Sequence, residues 1–148
     1  MTVHGIDHAG LTVGSLSAAL HFYRDLLGLT VTDEGETSGP ELDAITGLTG
    51  VRIRYAELDL GAGRLLELIE FHPPQGIRLS QSTRDSGASH LALRVDDVDA
   101  LCARLLEAGV TVPGVPTTIT AAGAWRGARC VYAEDPDGRT VELVQRPA

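Results

Sequence analysis

Two histidines and two glutamates occupy matching places in the two halves of this chain, and together they could hold a divalent metal ion. The stretch Gly63-Arg64-Leu65-Leu66-Glu67-Leu68-Ile69 returns as Gly138-Arg139-Thr140-Val141-Glu142-Leu143-Val144, so each half carries one equivalent glutamate. His8, inside Ile6-Asp7-His8-Ala9-Gly10-Leu11-Thr12-Val13, has its counterpart in His90 of Ser89-His90-Leu91-Ala92-Leu93-Arg94-Val95. Duplicated modules facing each other across a pseudo-two-fold axis would bring His8, Glu67, His90 and Glu142 to one place. Two imidazoles and two carboxylates suit one divalent ion, with Ni, Co, Zn, Mn and Fe all compatible.

The elements that must position these residues follow from periodicity. In the first half, alternation puts Ile6, His8, Gly10 and Thr12 on one side of a strand and Asp7, Ala9, Leu11 and Val13 on the other. Ser15 or Ser17 can cap the helix that follows, whose Leu16, Leu20, Tyr23, Leu26 and Leu27 recur at helical spacing until Gly28 stops it. Thr30-Val31-Thr32 reads as a short strand, residues 34–50 as a long loop, and Val51 to Leu60 and Arg64 to Phe71 as two longer strands. The pattern restarts after a polar, Pro-containing stretch. His90 to Val95 is a strand, Asp96 or Asp97 caps a helix carrying Val98, Leu101, Leu105 and Leu106, and Gly109 ends it. Thr111-Val112 begins the next strand, Ala128 to Glu134 is another, and Asp135-Pro136-Asp137-Gly138 turns into the last. The expected fold is α+β: two βαβββ modules, 4–72 and 89–146, joined by a linker over 73–88. They pair as a single domain over 1–148 into a curved mixed sheet around the metal site.

Composition narrows the function classes. At 148 residues the chain can bury one substantial core. Cys102 and Cys130 are too few for a disulfide framework, which suits a reducing compartment. Met1-Thr2-Val3-His4 leads straight into a strand pattern with nothing resembling a signal sequence, and no apolar run reaches the length of a membrane span. A cytoplasmic protein without a membrane partner is expected. A net charge of −8, with scattered arginines and no lysine, argues against nucleic acid and toward a small-molecule ligand.

The order of these motifs closely resembles the vicinal oxygen chelate superfamily, over nearly the whole chain from His4 to Arg146. The matching features are His8 in the first strand, Phe22-Tyr23-Arg24-Asp25-Leu26-Leu27-Gly28 in the first helix, Glu67, His90, and Glu134-Asp135-Pro136-Asp137-Gly138 followed by Glu142-Leu143. That group includes glyoxalase I, methylmalonyl-CoA epimerase, extradiol dioxygenases, and fosfomycin and bleomycin resistance proteins. The resemblance implies that His8, Glu67, His90 and Glu142 are metal ligands of the glyoxalase I type. Extradiol dioxygenases and fosfomycin enzymes ligate with two histidines and one glutamate, so an acid at Glu67 leans toward isomerase, epimerase or lyase chemistry. Glutathione-binding features of glyoxalase I are not matched around Leu68-Ile69-Glu70-Phe71 or Asp85 to Ser89, which points away from lactoylglutathione. A homodimer is implied as well.

Such enzymes remove a proton next to a carbonyl and stabilise the enediolate or enolate that results. Glu142 or Glu67 would be the base, and the pseudo-symmetry makes either plausible. Trp125 and Arg126 follow a Gly-rich loop from which they could contact substrate, or they could anchor the loop. Tyr55 and Glu57 share a strand face that alternation alone does not assign. His4, His21 and His72 have no repeat partners and read as solvated structural residues. Two other classes compete. A metal-free drug-binding protein of the bleomycin-resistance kind suits an acidic chain, and an iron-dependent ring-cleaving dioxygenase would use His8, His90 and Glu142 as a facial triad.

Overall fold

A computed structural model describes residues 2–72, 76–79 and 82–147. Parts of the expected linker, 73–75 and 80–81, lie outside the described residues. The chain separates into two compact units, Met1–Arg78 and Leu79–Ala148. Each holds a four-stranded mixed sheet with helix on one face, so the expected α+β class and the βαβββ order are borne out.

In the first unit, β1 (His8–Thr12), β2 (Thr30–Ser38), β3 (Arg52–Asp59) and β4 (Leu65–Phe71) stand in the spatial order β1-β4-β3-β2. β4 runs parallel to β1 and antiparallel to β3, so Glu67 lies on an interior strand. Alternation along β4 and β3 sends Leu66, Leu68, Ala56 and Leu58 under the helix, all with no exposed surface. The helix starts as α1 (Leu16–Leu20) and runs on as a π-helical turn (His21–Leu26). Leu16, Ala19, Leu20, Phe22 and Tyr23 form its buried face, and Phe22 meets Tyr23 edge-on, with centroids 5.0 Å apart.

The second unit repeats the plan. β5 (His90–Arg94), β6 (Thr117–Thr118), β7 (Arg129–Glu134) and β8 (Thr140–Gln145) stand in the order β5-β8-β7-β6. The helix, numbered α3 (Val98–Glu107) because α2 (Pro40–Thr46) lies in the first unit, packs Val98, Cys102 and Leu105 against β7 and β8. α3 is α-helical throughout, whereas its counterpart contains a π turn. The chain lengths explain the difference. From His8 to Gly28 is 20 residues and from His90 to Gly109 is 19, while the caps Ser15 and Asp97 keep the same spacing from their histidines. The extra residue therefore falls inside the first helix, where the wider π winding accommodates it before the same stop. That stop is a left-handed glycine in both units, Gly28 at φ 81° and Gly109 at φ 77°.

The duplication extends to a feature that motif reading did not reach. Ser15 and Asp97 each accept a hydrogen bond from the third helical N–H, at Ala18 and Ala100. The first helical N–H is taken by a side chain from the last strand of the same unit: Leu16 donates to Glu70 at 2.6 Å, and Val98 donates to Gln145 at 3.1 Å. Glu70 and Gln145 stand three residues after Glu67 and Glu142, respectively, and so on the opposite face. Each ties a helix start to the strand that carries a candidate ligand. Replacing Glu70 or Gln145 by alanine is expected to cost about 1 kcal/mol in urea unfolding, with Glu70 the larger because its carboxylate also meets the positive end of the helix.

Two expectations need correction. The loop expected at 34–50 is mostly regular: β2 continues to Ser38 by pairing with β3 through Ser38↔Arg52, and α2 (Pro40–Thr46) follows. The polar Asp33 to Ser38 has weak strand preference of its own, and the partner strand imposes the conformation. Pro40 at the helix start with Glu41 and Asp43 in the first turn is a helix signal that loop composition concealed. Thr111-Val112 begins no strand; β6 is only Thr117–Thr118, and Thr111 is tied in by a hydrogen bond from Glu134 N–H.

Candidate metal centre

In the first unit, the parallel register of β1 and β4 pairs Gly10 with Glu67, which places His8 one same-face step away on the neighbouring strand. Its Nε2 comes within 3.5 Å of Glu67 Oε2. Gly10 lies between them in the register; a Cβ there would stand 3.7 Å from Glu67 Oε2, so nothing bulkier separates imidazole from carboxylate. The other ring nitrogen, Nδ1, is 2.9 Å from Asp7 Oδ1, which orients the ring and leaves Nε2 toward Glu67. That hydrogen bond, more than the fields of Glu67 and Glu57 and against partial burial, raises the His8 pKa above its ordinary value.

The second unit reproduces the pair. The parallel register of β5 and β8 sets Ala92 opposite Glu142, and His90 Nε2 lies 3.2 Å from Glu142 Oε2. Ala92 takes the place of Gly10 as the small residue in between. Both carboxylates are half-buried while both imidazoles are exposed, so each pair is anchored in the sheet and open at its outer side.

These donors fit a metal. With bonds of about 2.1 Å, adjacent donors of an octahedral ion stand about 3.0 Å apart and those of a tetrahedral ion about 3.4 Å. The separations of 3.5 and 3.2 Å lie close to such edges. Each unit supplies an imidazole–carboxylate pair, and among the described residues neither gathers a third donor into a metal-holding group.

The model of the glyoxalase/bleomycin resistance protein/dioxygenase superfamily matches residues 5–143. The chain belongs to this superfamily. A 2-epi-5-epi-valiolone epimerase from Actinomyces sp is 35% identical over 97% of this chain and 80% of its own. A lactoylglutathione lyase from Haemophilus influenzae is 28% identical over 95% of this chain and 91% of its own. Among solved structures, a glyoxalase family protein from Bacillus cereus shares the fold with a TM-score of 0.87 at 21% identity, covering 100% of this chain and 97% of that one. An antibiotic binding protein from a Streptomyces species matches with a TM-score of 0.59 at 26% identity, covering 99% of each chain.

Within this glyoxalase-superfamily chain, the register brings in neighbours that sequence reading left open or missed. Glu57 pairs directly with Glu67, and Tyr55, two residues earlier, shares that face and donates to Asp33 Oδ2 at 3.1 Å. The matching position in the second unit holds Tyr132, paired with Glu142 and packed against His90 with ring centroids 5.8 Å apart. The two pairs are therefore alike while their flanks differ, acidic in one unit and aromatic in the other. Cross-strand partners depend on register between distant segments, which periodicity within a segment does not reveal.

Trp125 and Arg126 lie in the exposed loop before β7. Trp125 is 42% exposed and carries the Arg146 guanidinium 4.0 Å above its ring, while Arg146 Nη1 donates to Ala124 O at 3.0 Å. Arg126 is exposed. Cys130 lies on the Glu142 face; burial first, then the charge of Glu142, pushes its thiol pKa up, against the opposing pull of Arg146. His21 is an exposed helical residue beside Asp25. His72 departs from a solvated reading: its Nε2 is buried without a hydrogen-bond partner, 3.6 Å from Glu70 Oε1. No helix among the described residues is long and apolar enough to cross a membrane.

Proposed function

We propose that this chain is a metal-dependent isomerase, epimerase or lyase of the glyoxalase type, acting next to the carbonyl group of a small molecule. The observation that carries the reading is the matched pair of contacts, His8 Nε2 to Glu67 Oε2 and His90 Nε2 to Glu142 Oε2, on repeat-equivalent strands. We assign these four residues as ligands of one divalent ion, Ni, Co, Zn, Mn or Fe, within a single domain formed by modules 4–72 and 89–146 and the linker 73–88. Relatives named as an epimerase and as lactoylglutathione lyases support an enzyme, and the 35% identity of the former favours epimerisation.

When bound, the ion supplies Lewis acidity to the substrate's carbonyl oxygen. The chain's own part is acid–base chemistry and positioning. Glu142 or Glu67 takes the proton from the carbon next to the carbonyl, and in an epimerase the other carboxylate returns a proton to the opposite side. Asp7 keeps the His8 ring turned toward Glu67. Trp125 and Arg126 contact the substrate from the loop, and the protein works as a cytoplasmic homodimer.

The test is the metal content of protein purified without chelator or metal-affinity tag, beside His8→Ala and Glu67→Gln. Near one ion per chain, lost or much weakened in both variants, is expected. Absence of metal, with none taken up from added Ni, Co, Zn or Mn, overturns the enzyme reading and leaves a drug-binding module, to which the antibiotic-binding relative lends support.

A further inference from the structure

We propose that the substrate of this site carries an anionic substituent, a carboxylate or phosphate group, held by Arg94 and Arg146 on the Glu142 face of the second sheet. The inference deepens the proposed function by naming a substrate class, and it rests on that reading only for placing the reacting carbon near Glu142.

The register lays out this face in rows. Ala92, Glu142 and Tyr132 form one row across β5, β8 and β7, and Arg94, Val144 and Cys130 form the next. Same-face rows stand two residues of strand rise apart, about 7 Å. Arg146 continues the Glu142–Val144 side of β8 just past its end. Two guanidiniums thus border the row formed by Val144 and Cys130, one row from the carboxylate that would exchange the proton.

This is a prepared anion site in three respects. Arg24, Arg54, Arg129 and Arg139 each have a carboxylate partner, whereas Arg94 and Arg146 have none among the described residues, in a chain of net charge −8. Arg146 is held over Trp125 and tied to Ala124 O, so its fork is ordered before any ligand arrives. Val144 is buried and Cys130 half-buried; an apolar floor strengthens a charge-assisted hydrogen bond made against it. The equivalent rows of the first unit carry Thr12, Ile69 and Tyr55, then Phe71 and Ile53. With cations in one unit only, a substrate bearing one anionic end would be held in one orientation, its reacting carbon toward Glu142.

The experiment uses the full chain stripped of metal, so that neither ion coordination nor turnover contributes. Inorganic phosphate and malonate are titrated separately, with binding read by calorimetry and by the emission of Trp125, the sole tryptophan. Expected is saturable binding of at least one anion with a change in Trp125 emission, weakened about tenfold or more in Arg94→Gln and in Arg146→Gln and unchanged in Arg64→Gln, a substitution at an exposed arginine of the first unit. Preference for phosphate or malonate identifies a phosphate ester or a carboxylate as the substituent. Absence of saturable binding, or equal affinity in the two variants and the unsubstituted protein, overturns the inference. Metal content and proton exchange stand apart from this readout. A protein that binds metal and exchanges protons but ignores both anions keeps the proposed function and loses the anionic substrate. One that binds anions through these arginines yet takes up no metal loses the proposed function.

Discussion

His8→Ala and His90→Ala are each expected to slow deuterium wash-in next to a substrate carbonyl by about 10³-fold or more, and the double variant to be no slower than either single one. The size follows from what each imidazole does. Losing an outer partner of a metal site already costs about 10- to 100-fold, and a directly ligating residue holds the ion itself. The absence of further loss follows from shared function: groups that act as one unit are grossly non-additive, because once the first is gone the second has nothing left to support. Among the described residues each unit offers an imidazole–carboxylate pair and no metal-holding group of three. If the two pairs served separate ions, the double variant would show the product of the two single losses. Multiplicative rates, or metal retained at half the stoichiometry in each single variant, would therefore defeat the one-ion assignment. Metal analysis of the same three samples decides whether rate and occupancy fall together.

How far this was legible in the sequence differs from feature to feature. The repeat identified His8 with His90 and Glu67 with Glu142 because strands preserve alternation, and one matched motif fixes the face of every residue around it. Ser15, Asp97, Gly28 and Gly109 were readable because caps and stops are local chemistry, set by the residue and its nearest amides. What depended on a partner segment was not. The continuation of β2 through Glu34 to Ser38 exists because β3 pairs with it, and Glu57 and Tyr132 became neighbours of the two glutamates only through register. Glu70 and Gln145 are the sharpest case. Each looks like an ordinary polar residue near the end of a strand, and its role as a helix cap requires knowing that the helix start, 54 or 47 residues away, returns to it. The place of Arg146 is hidden in the sequence for a related reason. Sequence proximity favoured Arg126 beside Trp125, whereas the fold lays the more distant arginine over the ring.

Leu68→Ala and Leu143→Ala, substitutions at repeat-equivalent positions, are each expected to lower stability by about 2–5 kcal/mol in urea unfolding. Both side chains have no exposed surface, and each follows a candidate ligand by one residue, on the face turned toward the helix. The cost is transfer of the lost methylenes plus whatever cavity the neighbours leave unfilled, so the surroundings set the position within that range. In the first unit, the helix covering the sheet buries Phe22 and Tyr23 edge-on, with ring planes at 85°. Rigid rings close a gap poorly, and Leu68→Ala belongs near the upper end. In the second unit the buried residues Leu105, Val98, Val131, Val141 and Ala133 are aliphatic, with Val131 the cross-strand partner of Leu143; they can shift by rotamer, and Leu143→Ala belongs nearer the lower end. Losses below about 1 kcal/mol in both would contradict the burial on which these cores depend. Below the unfolding transition, metal content should stay unchanged in both variants, because Glu67 and Glu142 hang from the other face of strands still held by their ladders and by the Glu70 and Gln145 caps. A core variant that remained folded yet lost its ion would show that ligand position depends on packing through the sheet more than on strand register.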